Sequence, residues 1–593
     1  MKQLKKILFT LFVLCVCVVQ SQDKVSLDVV LPLGEELPKK VKLKEQYSDS
    51  LSVMMALEQS FMQLQAFGYA EISIDSVVFS SKKNAIAYFY LGEKYELTYL
   101  QNGNIDESIA NKVGLKSSKY TGSQFSFFAI ENQMNNLLEY YENNGFPFAK
   151  VWLDSVQVYD GKVYASIFAE PYERILIDSI VVHGESKTKV KFLENYLGIY
   201  PDDLYDERKI QQISDRLAQL TFLTESKTSQ VIFFNGKATV HVFVEKQKAN
   251  QFDFVLGFLP NDQLDNKKLT ITGDGTLHLQ NSFGVGEEIY ADFSQVKAGT
   301  QRLNLSFAYP YFVNLPIGLA GDFALYKNDT LFVDIDAEAA VLYQFGGSNQ
   351  FRAFYHNTTS NVLNYDTLAI KISEELPENI DIRHHQYGVG VAFQRLDYPF
   401  NPRKGYAVEF KGAVGTKIIK ENSQIANLEN ADGNTLDYLY SDLNLKSINY
   451  SLNLDVEYFV PFGKRNTMLF SNHSALYIAQ NIFNNEKYRI GGANLLRGFD
   501  EEAIFTPYYS VFTTEYRFLL SKNSYFHSFF DFALVEDIRK GAGSVDLPLG
   551  FGAGVALETK GGIFNLSYAL GKQLDNPIQF KNGKIHFGYL TIF

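Results

Sequence analysis

Cysteine is almost absent from this sequence. Of 593 residues only Cys15 and Cys17 are cysteines, which excludes disulfides and cysteine-ligated metals from the chain beyond them. Two catalytic motifs are missing too. The nine histidines form no His-Glu-x-x-His motif of the metalloprotease type, and no Gly-x-Ser-x-Gly motif of the serine-hydrolase type occurs. We therefore predict that the protein is not an enzyme and holds neither a cofactor nor a metal.

Long apolar runs and an excess of positive charge are also lacking. Beyond residue 22 no apolar stretch approaches the roughly 20 residues that a membrane-spanning helix requires. The net charge of −12 argues against nucleic acid as a partner. The one long apolar run, Ile7–Val19, follows Lys2, Lys5 and Lys6, which is the layout of a secretory signal peptide over residues 1–22. We expect an exported protein.

The first 248 residues carry a repeated pattern. Gly68 and Gly145 lie 77 residues apart, and each opens a segment with an Asp-Ser-Val sequence and two short β-type runs. Apolar residues at helical spacing precede such segments. We predict three strand–helix–helix–strand–strand modules, over residues 23–96, 97–171 and 172–248. From the pattern alone, generic α+β spacers are an equally good interpretation.

From residue 249 onwards, alternation replaces the helical period. Ile448, Tyr450 and Leu452, for example, alternate with Asn449 and Ser451. Most predicted strands have 9 to 15 residues, which suits transmembrane strands better than a soluble sandwich, where strands average about 5 or 6. The sixteen predicted strands are 251–259, 268–281, 286–297, 300–310, 315–327, 331–344, 348–357, 386–397, 405–418, 447–460, 466–479, 508–520, 524–535, 549–558, 562–571 and 583–593.

The predicted connections alternate in length. Those at 521–523 and 559–561 are tight, whereas 358–385, 419–446 and 480–507 are long. Short periplasmic turns and long surface loops are typical of outer-membrane barrels, and a closed barrel satisfies every backbone group in lipid. We predict a transmembrane β-barrel of 16 antiparallel strands over residues 249–593, in the bacterial outer membrane, with the preceding modules in the periplasm.

Two local features are interpreted as structural. His384 and His385 precede the eighth predicted strand, so we interpret them as loop residues and not as metal ligands. The Gly284-Val285-Gly286 segment has no helix after it and is interpreted as a turn, not as a phosphate-binding loop.

The connection between the eleventh and twelfth predicted strands contains Leu496-Arg497-Gly498-Phe499, preceded by Gly491-Gly492. The chain has tandem modules before a sixteen-stranded barrel and carries this motif in a long loop. In both respects it resembles the outer-membrane assembly-factor superfamily of BamA/TamA type (bacterial surface antigen type), whose modules are POTRA domains. The resemblance implies that this loop folds into the lumen and that its arginine pairs with acids on the next two strands. Glu515 and Asp531 match those acids, and strand parity independently points both toward the lumen.

The resemblance also implies a function in protein insertion or translocation at the outer membrane. Its partners would be membrane lipids, unfolded outer-membrane protein clients and accessory periplasmic or inner-membrane subunits. Glycine weakens strand pairing, so we expect a lateral opening at the barrel seam, around Phe254, Gly257, Gly588 and Tyr589. Phe587, Tyr589 and the terminal Phe593 share one face of the last strand, which is similar to the assembly signal of outer-membrane proteins.

Two alternatives stay open at this point. One is a two-partner-type secretion pore for a dedicated exoprotein, although that type usually carries two modules. The other is a passive porin-like channel with spacer domains. Client identity, accessory subunits and a BamA-like versus TamA-like role do not follow from the sequence.

Overall fold

The computed structural model describes most of the chain beyond the predicted signal peptide. Residues 1–22 and Phe593 lie outside the described ranges, which are 24–81, 84–116, 123–260, 269–297, 299–441, 443–536, 544–559, 562–574, 578 and 580–592. The chain divides into two compact units, Met1–Leu176 with Leu204–Arg208 and Ile177–Asp203 with Lys209–Phe593.

Among the described residues, no helix combines the length and the apolar character needed to cross a membrane.

The first module is a four-stranded sheet with one long helix on it. Its elements are β1 (Val25–Val30), β2 (Gln46–Tyr47), α1 (Ser50–Ala66), β3 (Ser73–Ser81) and β4 (Asn84–Tyr90). The sheet order is β2-β1-β4-β3, with β1 parallel to β4. Asp49 caps α1 by accepting the Ser52 N–H, and Leu57 and Leu64 on α1 are buried against Ala85 and Phe89 of β4.

The second module repeats this arrangement. It contains β5 (Glu96–Gln101), α2 (Glu107–Lys112), β6 (Ser123–Gln124), α3 (Phe127–Glu142), β7 (Lys150–Tyr159) and β8 (Lys162–Glu170). The order is β6-β5-β8-β7, with β5 parallel to β8. Ile130, Leu137 and Tyr141 of α3 are buried in its core, as their helical spacing predicts.

The third module and the barrel belong to the same compact unit. The module contains β9 (Leu176–His183), α4 (Val190–Leu197), α5 (Glu207–Gln211), α6 (Ile213–Leu217), β10 (Leu223–Phe234) and β11 (Lys237–Lys246), in the sheet order β10-β11-β9. On α4, Phe192 packs edge-on against Tyr311 of the barrel, with ring centroids 5.6 Å apart. The Lys189 N–H donates to the Gly284 carbonyl at 2.8 Å. The module therefore sits against barrel connections at one end, the module end.

The C-terminal region forms a closed antiparallel barrel. Among the described residues it has sixteen main strands, plus the two-residue β27 (Val545–Asp546) beside the end of β26. The main strands are β12 (Gln251–Pro260), β13 (Leu269–Gln280), β14 (Glu288–Lys297), β15 (Thr300–Tyr309), β16 (Ile317–Asn328), β17 (Phe332–Gln344), β18 (Gln350–Val362), β19 (Ile382–Leu396), β20 (Gly405–Ile419), β21 (Lys446–Phe462), β22 (Asn466–Ile478), β25 (Tyr508–Leu519), β26 (Tyr525–Glu536), β28 (Leu549–Glu558), β29 (Ile563–Lys572) and β30 (Lys584–Ile592).

Alternation along the strands separates an apolar outer surface from a polar interior. On β21, Ile448, Tyr450 and Leu452 are exposed, whereas Asn449 between them is fully buried. Because a strand's side chains point alternately to its two faces, the pattern that identified the strands also assigns each residue to lipid or lumen.

Two of the sequence-based boundaries were wrong. The eighth strand, β19, begins at Ile382, so His384 and His385 lie in it and are not loop residues. Its partner β18 continues to Val362, well past the predicted end. The cause is the composition of this stretch: 356–361 is polar on both faces, so apolar alternation stops while the backbone ladder continues.

At the barrel end opposite the third module, the loop end, long connections fold into a small cap. It contains the short helices α7 (Thr367–Ser373), α8 (Ser423–Ala426) and α9 (Tyr438–Ser441). Ile370, Ile425 and Tyr440 are buried in an apolar cluster that also includes Ile382 of β19 and Ile419 of β20. Asp381 ties the two connections together by accepting from Tyr365 and Asn422.

Candidate functional site in the barrel lumen

The connection between β22 and β25, residues 479–507, lies inside the barrel and is called the lumen loop here. Within it, β23 (Tyr488–Ile490) and β24 (Ile504–Thr506) pair as a two-stranded ribbon. Gly491 and Gly492 follow β23 with positive φ of 123° and 97°, a conformation that glycine adopts without steric cost. The ribbon and its glycine turn carry the Leu496–Phe499 motif to the wall.

Two apolar residues of the motif seat it against the barrel. Leu496 is completely buried and Phe499 nearly so, in a cluster that includes Val511 of β25 and Ala533 of β26. Gly498 lies so close to β29 that a Cβ there would be 2.6 Å from the Leu570 carbonyl carbon. Only glycine allows this approach.

Arg497 is the centre of the site. Its Nε donates to Asp531 Oδ2 at 2.8 Å and its Nη2 to Asp531 Oδ1 at 2.6 Å, while its Nη1 donates to Glu515 Oε2 at 2.5 Å. The guanidinium also lies over the Phe529 ring, 3.5 Å from the centroid. The planar donor fork of arginine matches such a bidentate contact, and lysine cannot reproduce it.

Both carboxylates have further donors. Asp531, fully buried, also accepts from Thr513 Oγ1 at 2.9 Å and from the Arg497 backbone N–H at 3.1 Å. Glu515 accepts from Arg517 Nε at 2.8 Å. Arg517 in turn donates to Asn401 in the connection between β19 and β20. The charges are thus paired and hydrogen-bonded, as buried charges must be.

A second buried network, which the sequence did not predict, holds the stem of the lumen loop. Lys417 Nζ on β20 donates to Glu486 Oε2 at 2.5 Å and to the Asn481 carbonyl at 2.6 Å. Tyr477 of β22 donates to the other oxygen of Glu486 at 2.9 Å. The Lys417 and Glu486 side chains are 0% and 1% exposed. Parity places Lys417 toward the lumen, but its partner depends on the path of the loop.

Further contacts fix the loop to the opposite wall. Arg489 forms an ion pair with Asp334 of β17 and lies over the Tyr326 ring of β16 at 4.0 Å. Glu502 pairs with Arg302 of β15 and accepts from the Tyr326 hydroxyl at 2.7 Å. The loop therefore crosses the lumen and is attached to strands on both sides.

A polar cavity of about 490 Å³ remains beside the stem, lined in part by Asp334, Asp336, Glu338 and His356. Among the described residues, no group of three or more histidine, cysteine or acidic side chains is arranged to hold a metal ion.

The barrel seam lies between β12 and β30. Among the described residues, its ladder has two residue pairs, Gln251 with Ile592 and Phe252 with Thr591, whereas every other pair of neighbouring main strands shares seven or more. For Phe254 and Gly257 the structure describes the backbone, and they lie in β12 beyond these two pairs.

On the other side of the seam, Gly588 and Tyr589 of β30 pair with β29. Tyr589 also packs against the Phe564 ring, with centroids 4.5 Å apart. Phe587 is 65% exposed on the outer surface. The fold and the lumen loop together define an outer-membrane barrel protein with tandem N-terminal modules.

Comparison with known families agrees with this class. A family model described as the Omp85 superfamily domain matches residues 281–593, more than half of the chain. A model described as POTRA, surface antigen variable number repeat, matches residues 175–247. The chain belongs to the Omp85 superfamily. It is an outer-membrane protein of a class that inserts or translocates proteins.

Solved structures also match this chain, at low identity. CdiB from Acinetobacter baumannii is 13% identical with a TM-score of 0.51, and CdiB from Escherichia coli is 10% identical with a TM-score of 0.50; each match covers 91% of this chain and 98% of the other. BamA from Haemophilus ducreyi lacking POTRA domains 1-3 is 14% identical with a TM-score of 0.42, covering 84% of this chain and all of that one. No curated protein matches the sequence.

Proposed function

We propose that this protein inserts outer-membrane protein clients into the membrane through the seam between β12 and β30. The observation that carries the proposal is the two-pair ladder of the seam. Since each ladder position contributes backbone hydrogen bonds, the shortest ladder is the place where the barrel opens at least cost.

The modules would lie in the periplasm. In the second unit, connections 281–287 and 310–316 contact the third module, while the long connections lie at the loop end. This matches the asymmetry of outer-membrane barrels, with short turns on the periplasmic side.

Clients would first bind to free sheet edges of the modules. β3, β7 and β10 are edge strands of their sheets. On β7, Val156, Val158 and Tyr159 are exposed, and an extended client could add to such an edge by main-chain hydrogen bonds. We further propose that no cofactor or catalytic step is involved, because folding and lipid burial of the client supply the free energy.

The Arg497 network is proposed as the lock that keeps the lumen loop inside the barrel, with Leu496, Gly498 and Phe499 as its seat and Glu515 and Asp531 as its partners. Phe587, Tyr589 and Phe593 are proposed as the signal for assembly of the protein itself.

A disulfide across the seam tests the main proposal. The register of the two observed pairs, continued, places position 254 opposite 589. In a chain with Cys15 and Cys17 replaced by serine, we introduce Phe254→Cys and Tyr589→Cys and follow client assembly in cells under oxidising and reducing conditions. We expect assembly to stop on oxidation and to return on reduction.

The control is a disulfide between two strands that remain paired. Leu305 of β15 lies opposite Phe323 of β16, so Leu305→Cys with Phe323→Cys should leave assembly unchanged in either state. Undiminished assembly by the oxidised seam variant would exclude lateral insertion.

Depletion of the protein, followed by a proteomic inventory of the outer membrane, separates the alternatives. General loss of barrel proteins supports insertion. Loss of one exported protein supports a two-partner-type secretion pore, and an unchanged membrane supports a porin-like channel.

A further inference from the structure

The last strand, β30, has two halves with different neighbours on the seam side. At the module end, Thr591 and Ile592 pair with β12. The stretch from Lys584 to Leu590 pairs with β29 on one side, but its ladder with β12 is absent from the described residues. In the described residues, the backbone ladder of this loop-end half is therefore with β29, and its ladder with β12 is confined to the last two residues.

This same half is in contact with the tip of the lumen loop. Lys584 Nζ lies 2.7 Å from Asp500 Oδ1, and the Gly498 N–H donates to His586 Nε2 at 3.4 Å. Lys584 and His586 are alternate residues of β30, so both point to the lumen side. The loop tip thus contacts β30 from inside, where β12 does not pair with it.

The lumen loop is a fixed support for these contacts. Arg497 is held by Asp531 of β26 and Glu515 of β25, and Glu486 is held by Lys417 of β20. The three carboxylates of these ion pairs are buried, whereas the Lys584 and Asp500 side chains are 37% and 72% exposed. An exposed ion pair contributes less than a buried, hydrogen-bonded one, so the contacts between the loop tip and β30 are expected to break before those that hold the loop.

We propose that Lys584 and His586 form a latch that holds the last strand against the lumen loop, and that release of this latch precedes opening of the seam. The latch regulates opening of the seam between β12 and β30, so this inference rests on the proposed function. An exposed ion pair biases such an equilibrium by only about two- to fivefold. The latch therefore keeps the seam closed at rest and yields to a client strand that competes for the edge of β30.

Distances between spin labels on the purified protein in lipid nanodiscs test the latch without any client. Phe587 on β30 and Leu305 on β15 are exposed on the outer surface, so cysteine labels at these positions leave the lumen intact. A second label pair, at Leu305 and Tyr450 of β21, reports on the barrel wall away from the seam. The background again carries serine at positions 15 and 17.

Four single variants, one of them a control, and one double variant are compared with the parent. Lys584→Met removes the charge of the ion pair, and His586→Phe removes the acceptor for Gly498, whereas His586→Gln keeps an acceptor. Lys411→Met is the matched control, because it removes a comparably exposed lysine that pairs with Glu409 on β20. In Lys584→Met with His586→Phe, we expect a second distance population, longer by about one strand spacing, or roughly 5 Å.

The reference pair and the Lys411→Met control should keep the parent distances. Exchanging the charges, Lys584→Asp with Asp500→Lys, should give the single short distance population of the parent. That result would also exclude a folding defect as the cause of the longer distances. Parent-like distances in the double variant, or no recovery on charge exchange, would overturn the latch. Widening of the seam in the Lys584→Met with His586→Phe variant, together with undiminished client assembly by the separate oxidised 254–589 variant, would support the latch and overturn lateral insertion.

Discussion

Buried ion pairs attach the lumen loop to the wall of this barrel. Arg497 and Lys417 are both carried into the lumen and paired with carboxylates that are almost fully buried. Replacing such a pair with apolar residues is often neutral, but removing one partner leaves an uncompensated buried charge. The consequences of substitution therefore depend on whether the partner is changed as well.

Arg497→Ala should lower the free energy of unfolding by roughly 3 kcal/mol, because Asp531 and Glu515 lose a shared cation. Arg497→Lys should recover only part of this loss, since one ammonium group cannot reproduce the bidentate contact. The temperature at which the barrel unfolds on an electrophoresis gel measures both effects. Arg383→Ala, at an exposed position of β19, is the control. A parent-like unfolding temperature for Arg497→Ala would show that the Arg497 network does not stabilise the barrel.

Lys417→Met should be similarly destabilising, by roughly 3 kcal/mol, because Glu486 is left buried without its cation. The double variant Lys417→Met with Glu486→Gln should be more stable than Lys417→Met alone, since no buried charge remains. Unfolding temperatures of the two single variants, the double variant and the parent form a complete cycle. Additive effects in this cycle would show that the two side chains do not interact energetically.

At the scale of elements, the C-terminal end of α3 carries an unfavourable charge. Burial raises the pKa of Glu142, and the nearby Glu207 and Glu139 carboxylates raise it further. A raised folded-state pKa means that ionisation costs more in the folded protein. This cost is absent below the unfolded-state pKa of about 4.3 and develops as the pH rises through the folded-state value.

Glu142→Gln should therefore stabilise the second module at pH 7 and have little effect near pH 4. Trp152, the only tryptophan of the chain, lies in β7 of this module and stacks on Phe168, so its fluorescence during urea unfolding reports the module selectively. Glu131→Gln on the same helix serves as the control. A gain of equal size at both pH values would contradict the electrostatic explanation.

The turn at 281–287 shows how closely the third module fits the barrel. Gly286 has a φ of 74°, and a Cβ on it would be 1.9 Å from Cε2 of Phe192 on α4. Gly286→Ala should displace Phe192 and cost about 1–2 kcal/mol in backbone strain alone. We expect earlier cleavage of the third module in limited proteolysis. Gly433→Ala is a matched control, because Gly433 has a φ of 79° and open space around its Cβ position.

Alternation predicted all sixteen main strands because lipid demands an apolar outer face at every second residue. It failed at β18 and β19 where these strands continue into the polar cap, since no apolar face is required there. Parity likewise placed Glu515 and Asp531 on the lumen side, where the structure has them. The contact of Lys417 with Glu486 depends on the path of the 29-residue lumen loop, 479–507. The alternation of apolar and polar residues does not predict the path of a loop, so this contact could not be predicted.

At the scale of the whole molecule, the third module and the barrel behave as one compact unit. Tyr311 is 5% exposed because Phe192 covers it. Asn281 in the neighbouring turn donates to Thr188 of the module at 2.7 Å. Most of the third module therefore groups with the barrel, and only its residues up to Leu176 and Leu204–Arg208 group with the first unit, although the repeat pattern of the sequence places all three modules in one class.

Two truncations distinguish this arrangement from three independent modules on a barrel. A chain that starts at residue 172 keeps the contacts between α4 and the barrel, so its barrel should unfold at nearly the parent temperature. A chain that starts at residue 249 exposes Tyr311 and the turn around Gly286, and uncovering one aromatic side chain alone costs about 2 kcal/mol. Its barrel should therefore unfold at a lower temperature, which differential scanning calorimetry in detergent measures. Equal unfolding temperatures for the two truncated chains would mean that the contacts of Phe192 do not stabilise the barrel.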